Sequence, residues 1–304
     1  MNNPSFYEIS YQIHEKSYSE VDKQKEIELY KNWFNNNTVD IWRHLRMLDF
    51  LDIFIDLFPS AKWLTVGDGR FGTSAIYIGR KGSNVLPSDI DVSLLKIAKE
   101  QAMIKDYCYA NAEKLPFDKD AFDFTFCKEA YHHFPRAYLA LYEMLRVSST
   151  AVMLTEPRDW LPSPVPRRLL QAAKHFIKNI SGQKPSHPDA GNYEPVGNYV
   201  FTISEREFQK IASGLNLPAV AFKSFHDVYL EGVEKEKINS NGPLFKKIKK
   251  KIMINRLLRL FGIEKTNRII AILFKKSISE TLRGKLETSG FTIIDLPKNP
   301  YVAE

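Results

Sequence analysis

Apolar positions recur at three- and four-residue spacing through most of the first sixty residues, the period of helices with one buried face. Tyr18 to Phe34 alternates charged and apolar positions in this way, and Val39 through Leu48 continues the pattern. Ile53 to Phe58 extends it until Pro59-Ser60 ends it. The pattern then changes to short apolar runs separated by helical stretches. Strands are expected over Ala61–Val66, Asn84–Leu86, Tyr107–Ala110, Ala121–Cys127 and Ala151–Thr155. Helices are expected over Thr73–Arg80, Ser93–Met103 and Arg136–Val147. Strands alternating with helices imply right-handed crossovers, and so a parallel sheet covered by helices on both faces.

After Pro157 the regularity fails. Pro162, Pro164 and Pro166 punctuate a loop, Arg167–Ile180 has helical spacing, and Ser181–Tyr199 is rich in Gly, Pro and Asn. Ser204-Glu205-Arg206-Glu207 reads as an N-cap with an acidic first turn, opening a helix to Ser213. Ala219–Leu230 reads as a strand, Ser279–Thr288 as a helix and Phe291–Leu296 as a last strand. The expected organisation is an N-terminal helical cap over 1–60 and an α/β domain over 61–304. Inserts are expected at about 158–203 and 231–278.

With 304 residues, 44% of them hydrophobic, the chain can bury a full core. Its two cysteines, Cys108 and Cys127, form no C-x-x-C pair, which argues against a disulfide framework or a cysteine-based zinc site and fits a reducing cytoplasm. The N-terminus lacks the basic and apolar regions of a signal peptide, and no apolar run reaches the length of a spanning helix. The net charge of +7 is localised: Leu244 to Lys276 holds eleven Lys/Arg and one acid, Glu264, on an otherwise mildly acidic chain. Phe245, Ile248, Ile252, Leu257, Leu260 and Phe261 recur there among the cations, so an amphipathic basic helix is expected. Such a segment suits an anionic membrane surface; packing on the domain, covering a site, or attracting a phosphate-bearing substrate are the alternatives. Nucleic acid is disfavoured, since no recognised binding motif accompanies the charge.

The chemistry begins at Leu64-Thr65-Val66-Gly67-Asp68-Gly69-Arg70-Phe71-Gly72, where glycines break a strand and lead into a helix. Lacking a Cβ, glycine lets backbone N–H groups lie against a ligand, so a nucleotide-like cofactor is expected at this sheet edge. Asp89 ends the next strand about twenty residues on, where an acid can accept both hydroxyls of a ribose. Asp91 more naturally caps the helix that follows. Up to this point a dinucleotide site fits equally well.

Asn111-Ala112-Glu113-Lys114-Leu115-Pro116-Phe117, followed by Phe122-Asp123-Phe124, separates the two. With the glycine turn and Asp89, it resembles the class I S-adenosylmethionine-dependent methyltransferases of the small-molecule type, in the family's order across roughly 60–157. The resemblance implies a Rossmann-like doubly wound sheet, mostly parallel with an antiparallel late strand, helices on both faces, and S-adenosylmethionine as cofactor. It implies that Gly67 and Gly69 approach the methionine part, Asp89 holds the ribose, and Asn111 and Ala112 meet the adenine. Lys128 and Glu129 would flank the sulfonium. Thr65 stands where the family commonly carries an acid, and Asp68 is expected to replace that carboxylate in part; Gly72 falls one residue after the usual third glycine.

Methyl transfer requires an aligned acceptor, exclusion of water and, for a hydroxyl, a base, but no metal. Tyr131-His132-His133-Phe134 lies where the family lines its acceptor site, making His132 and His133 the candidate bases. Glu156, Arg158 and Asp159 are expected at the same edge, either as acceptor contacts or as solvated charges. Tyr193 to Tyr199 offers aromatic and amide groups suited to a sugar or polyol. The expected acceptor is a small molecule, first a sugar hydroxyl in surface-glycan synthesis, otherwise a lipid or quinone at a membrane surface. The altered first motif also allows a catalytically silent cofactor-binding protein. A cytoplasmic protein, peripheral at the membrane if the basic helix binds lipid, completes the expectation.

Overall fold

The structure, a computed structural model, describes residues 5–16, 18, 22–31, 37–159, 193, 198–239, 241–261 and 263–301. Eight strands form one sheet: β1 Lys62–Val66, β2 Asn84–Asp89, β3 Cys108–Tyr109, β4 Phe122–Lys128, β5 Ser148–Pro157, β6 Ala219–Phe225, β7 Arg268–Phe274 and β8 Thr292–Asp295. Their order is β3-β2-β1-β4-β5-β7-β6-β8. The first five run parallel, β7 lies antiparallel between β5 and β6, and β8 pairs antiparallel with β6. The sheet is therefore the mostly parallel Rossmann-like one expected, with its reversal at the late strands.

Ten helices are described: α1 Phe6–His14, α2 Lys23–Lys31, α3 Val39–Leu48, α4 Leu51–Leu57, α5 Thr73–Arg80, α6 Ser93–Glu100, α7 Ala137–Val147, α8 Glu205–Gly214, α9 Pro243–Leu260 and α10 Glu280–Thr288. Successive strand residues face opposite ways, so each strand feeds two cores. Leu64, Val66, Val152 and Leu154 pack with Leu141 and Met144 of α7 and Phe208 of α8. On the other face Trp63, Phe124, Phe126 and Met153 pack with Phe54 of α4 and Leu282 and Leu286 of α10. The N-cap read at Ser204 is present, and it is a capping box: Ser204 Oγ accepts from the Glu207 N–H, and the Ser204 N–H donates to Glu207 Oε2.

Three expectations need correction. The stretch 231–278, read as an insert, contains β7, in the middle of the sheet. Ile269 to Phe274 is buried on both faces and so shows no alternation, and its flanking cations merge it with the basic segment. The strand expected to end at Leu86 continues to Asp89, because β3 pairs only with Ser88 and Asp89 and leaves Pro87, which has no N–H, beyond its reach. The expected amphipathic helix is α9, but its apolar residues do not share a face. Phe245, Ile248 and Ile252 are buried, whereas Leu257, Leu260 and Phe261 are exposed. The five-residue step from Ile252 to Leu257 turns the stripe to the far side of the helix.

The expected helix Arg167–Ile180 lies outside the described residues, as do Glu194–Gly197. Among the described residues no helix is long and apolar enough to cross a membrane.

Candidate active site

A cavity of about 780 Å³ opens at the carboxyl ends of β1, β2 and β4, where doubly wound sheets place their ligands. Three loops, α1 and α3 supply most of its wall. The first loop is the glycine turn. Gly67 has a φ of +69°, and a Cβ there would lie 2.4 Å from Ala130 Cβ at the end of β4. A Cβ on Gly69 would lie 2.6–2.9 Å from the Asp89 carboxylate. The missing side chains thus let the ends of three adjacent strands converge. Phe71 and Gly72 both take left-handed φ, of 58° and 66°. The Phe71 ring, wholly buried and stacked on Tyr30 at 5.1 Å, holds that strained backbone where glycine is commoner.

Asp89 accepts from the N–H groups of Gly69 and Asp91, each at 2.8 Å. Burial nevertheless raises its pKa to about 6, outweighing the two donors. Asp91 accepts from the Ser93 N–H at 2.9 Å, opening α6, and from the Tyr18 N–H at 2.9 Å. Asp68 also lines the cavity, but its carboxylate turns inward. It accepts from Thr65 Oγ1 at 2.8 Å and from the Ser74 and Ala75 N–H groups at 3.2 and 2.9 Å, so it caps α5. Burial raises its pKa, against those same donors.

The second loop carries Asn111 and Ala112, both on the wall. Asn111 Oδ1 accepts from the Glu113 N–H at 2.9 Å, fixing the turn. Glu113 is itself anchored by Tyr11 of α1, at 2.5 Å, and by Arg136 Nε, at 2.6 Å. The third loop follows β4. Lys128 Nζ donates to His44 Nδ1 at 3.2 Å, and His44 Nε2 faces Asp40 Oδ1 at 3.6 Å. Burial, and then the charge of Lys128, lowers the His44 pKa well below its ordinary value, which keeps the ring neutral. Glu129 pairs with Arg268 at 2.8 Å. Burial opposes its ionisation, but Lys128 and Arg268 hold its pKa below the usual range.

The two candidate bases separate. His133 lines the cavity; His132 is not among the lining residues. His132 Nδ1 lies 2.6 Å from Oε2 of Glu156, which is wholly buried and also accepts from the N–H groups of Ala130 and Tyr131. Burial lowers the His132 pKa, but the charge and hydrogen bond of Glu156 prevail and the net direction is upward. The two imidazole rings lie 3.9 Å apart. Asn198 Nδ2 donates to the His133 carbonyl at 2.8 Å, tying the polar segment after β5 to this turn.

Of the expected site residues, Gly67, Asp68, Asp89, Asn111, Ala112, Lys128, Glu129 and His133 line one cavity, while Gly69 and His132 stand behind it. Glu156 is no solvated strand-end charge, for it is sealed under the histidine turn. Arg158 turns away to Glu205, at 2.6 Å, and Thr266, at 2.6 Å. The wall also holds residues the motifs did not mark: Tyr11, His14, Asp40, Arg43, Tyr229 and Arg268. One signal for α3 was available, since Asp40 and Arg43 interrupt an otherwise apolar helix face.

A family model described as a methyltransferase domain matches residues 64–151, which contain the glycine turn, Asp89, Asn111 and the histidine turn. Residues 64–151 thus form a methyltransferase domain of the S-adenosylmethionine-dependent class. No curated protein sequence matches the chain. Among solved structures, phosphoethanolamine N-methyltransferase 2 of Haemonchus contortus is similar at 14% identity and a TM-score of 0.50, covering 91% of this chain and 62% of that one. The YcgJ protein of Bacillus subtilis gives 17% identity and a TM-score of 0.47, over 76% and 99% of the two chains. The magnesium protoporphyrin IX methyltransferase of Synechocystis gives 13% and 0.43, over 76% and 83%. The first of these likenesses bears on the fold alone.

The wall of the cavity suits S-adenosylmethionine. The glycine turn brings bare backbone at Gly67 to the cavity wall, an ionisable carboxylate stands beside it at Asp89, and the cavity has the size of a small-molecule site.

Proposed function

We propose that this methyltransferase methylates a hydroxyl of a polar small molecule, a sugar being the acceptor class that suits it best. The observation that carries this reading is the wall beyond the glycine turn. Asp40, His44, Lys128, Glu129, Tyr229 and Arg268 line it, a surface of charges and hydrogen-bonding groups rather than the apolar slot a quinone needs. When bound, S-adenosylmethionine supplies a methyl carbon already activated for displacement. Asp89 accepts the ribose hydroxyls, Asn111 and Ala112 contact the adenine, and the bare backbone at Gly67 admits the methionine part. Lys128 and Glu129 flank the sulfonium, and Asp68, turned inward to cap α5, holds the glycine turn in place beside the methionine part.

His133 takes the proton from the acceptor hydroxyl. His132 is a positioning residue: Glu156 holds its ring, and that ring packs against His133. Tyr18 and Tyr30 of the N-terminal segment close the cofactor side against water. Both cysteines are unpaired, in keeping with work in the cytoplasm.

The test is transfer of labelled methyl from S-adenosylmethionine to sugars, nucleotide sugars, phospholipids and quinones in parallel. Label on a sugar hydroxyl is expected. Label on a quinone or lipid alone refutes the acceptor class, and cofactor binding without transfer to any extract component indicates a silent binder.

A further inference from the structure

The charge and apolar residues of α9 divide between its two faces in a way that packing within the domain does not explain. Phe245, Ile248 and Ile252, spaced three and four apart, are buried against Val39 of α3 and Val233. The opposite face follows its own three- and four-residue spacing: Lys246, Lys250, Met253, Leu257 and then Leu260 and Phe261. Lysines occupy its first half and large apolar residues its second. Leu260 is 80% exposed and Phe261 76%, with Met253, Ile254 and Leu257 also exposed beside them. The helix carries seven cations, Lys246, Lys247, Lys249, Lys250, Lys251, Arg256 and Arg259, and no acid.

We infer that the outward face of α9 is a docking surface for an anionic lipid bilayer. Exposed aliphatic side chains gain by entering hydrocarbon, while lysines along the same stripe gain by meeting anionic headgroups. That charge complementarity selects the occupant. A second copy of α9 would set seven cations against seven. A nucleic acid would satisfy the cations but leave Met253, Ile254, Leu257 and Leu260 without an apolar partner, since bases are gripped by stacking aromatics. The buried stripe is separate, so docking requires no unfolding. α3 is shared by the two sites: Val39 and Trp42 meet α9, while Asp40, Arg43 and His44 line the cavity. The inference goes beyond the acceptor proposed above and does not depend on it.

The experiment is co-sedimentation of the full chain with vesicles of phosphatidylcholine alone or mixed with phosphatidylglycerol. Binding is expected only to the mixed vesicles and should weaken as salt rises. The double variant Leu257→Glu/Leu260→Glu should weaken it by about tenfold or more. Lys246→Glu/Lys250→Glu should abolish the preference for anionic lipid. Affinity for S-adenosylhomocysteine, measured by calorimetry, should be unchanged in both variants, which shows that they are folded and keeps this test separate from the cofactor site. Equal sedimentation with both vesicle types, or no loss in either variant, overturns the inference. So does polynucleotide binding without vesicle binding, or a dimer in light scattering that the leucine variant dissolves.

Discussion

Asp89 offers the sharpest quantitative test of the cofactor site. In the unliganded protein its pKa stands at about 6, pushed up by burial against the Gly69 and Asp91 donors. Ribose hydroxyls donate, so the cofactor prefers the ionised carboxylate, and proton and cofactor must compete. For a single group with that pKa, affinity is flat well above pH 6 and falls by about a decade per unit below it. Binding should therefore be roughly tenfold weaker at pH 5 than at pH 8. The sign for stability is the opposite of the usual carboxylate. An acid with a raised folded pKa destabilises the unliganded protein as pH climbs from about 4 to about 6, because the unfolded chain releases its proton first. The assay is calorimetric titration with S-adenosylhomocysteine across this range, for the wild type and for Asp89→Asn. The variant should bind about ten- to a hundredfold more weakly at pH 8, from loss of charge-assisted hydrogen bonds, and should lose the acid-side slope. A flat wild-type profile, or the same slope in Asp89→Asn, would refute the assignment of Asp89 to the ribose.

Gly67→Ala combines a φ of +69° with a Cβ 2.4 Å from that of Ala130, so urea denaturation should show a loss of about 2 kcal/mol or more; an unchanged midpoint contradicts this geometry. Asp68→Ala removes the cap on α5, worth about 1 kcal/mol, and should also weaken cofactor binding. Unchanged affinity in calorimetry would leave Asp68 a structural cap only. His133→Ala should lower turnover by about a hundredfold or more while cofactor affinity holds; equal loss in both measurements would argue against a base. The raised pKa of His132 means that its pairing with Glu156 stabilises fully below about pH 6.5 and is lost as pH rises through the folded value. Thermal denaturation of wild type and His132→Gln should diverge most at the acid end, and parallel curves would contradict the pairing.

The parallel half of the fold was legible because its signals are local. The glycine turn must break β1, Asp89 must end β2, and Phe122–Lys128 is a short run of strand-forming residues bounded by a turn. The antiparallel half was less so. A strand buried on both faces, such as β7, shows no period, and lysines beside it drew the eye to charge. In the site, residues near the sheet edge were found because strand ends place them. The contributions of α1 and α3 come from helices whose docking no local pattern specifies: nothing in the sequence around Tyr11 announces Glu113. The difference between His132 and His133 was hidden for the same reason. It depends on Glu156, which lies twenty-four residues away and reaches the turn only through the register of β4 with β5.

A crystal structure of the protein with S-adenosylhomocysteine tests the central claim most directly. It should show the ribose hydroxyls on the Asp89 carboxylate, the adenine beside Asn111 and Ala112, and the sulfur facing the space between Lys128 and His133. A ligand bound elsewhere, or one in this cavity with its ribose away from Asp89 and its sulfur away from His133, would contradict the account.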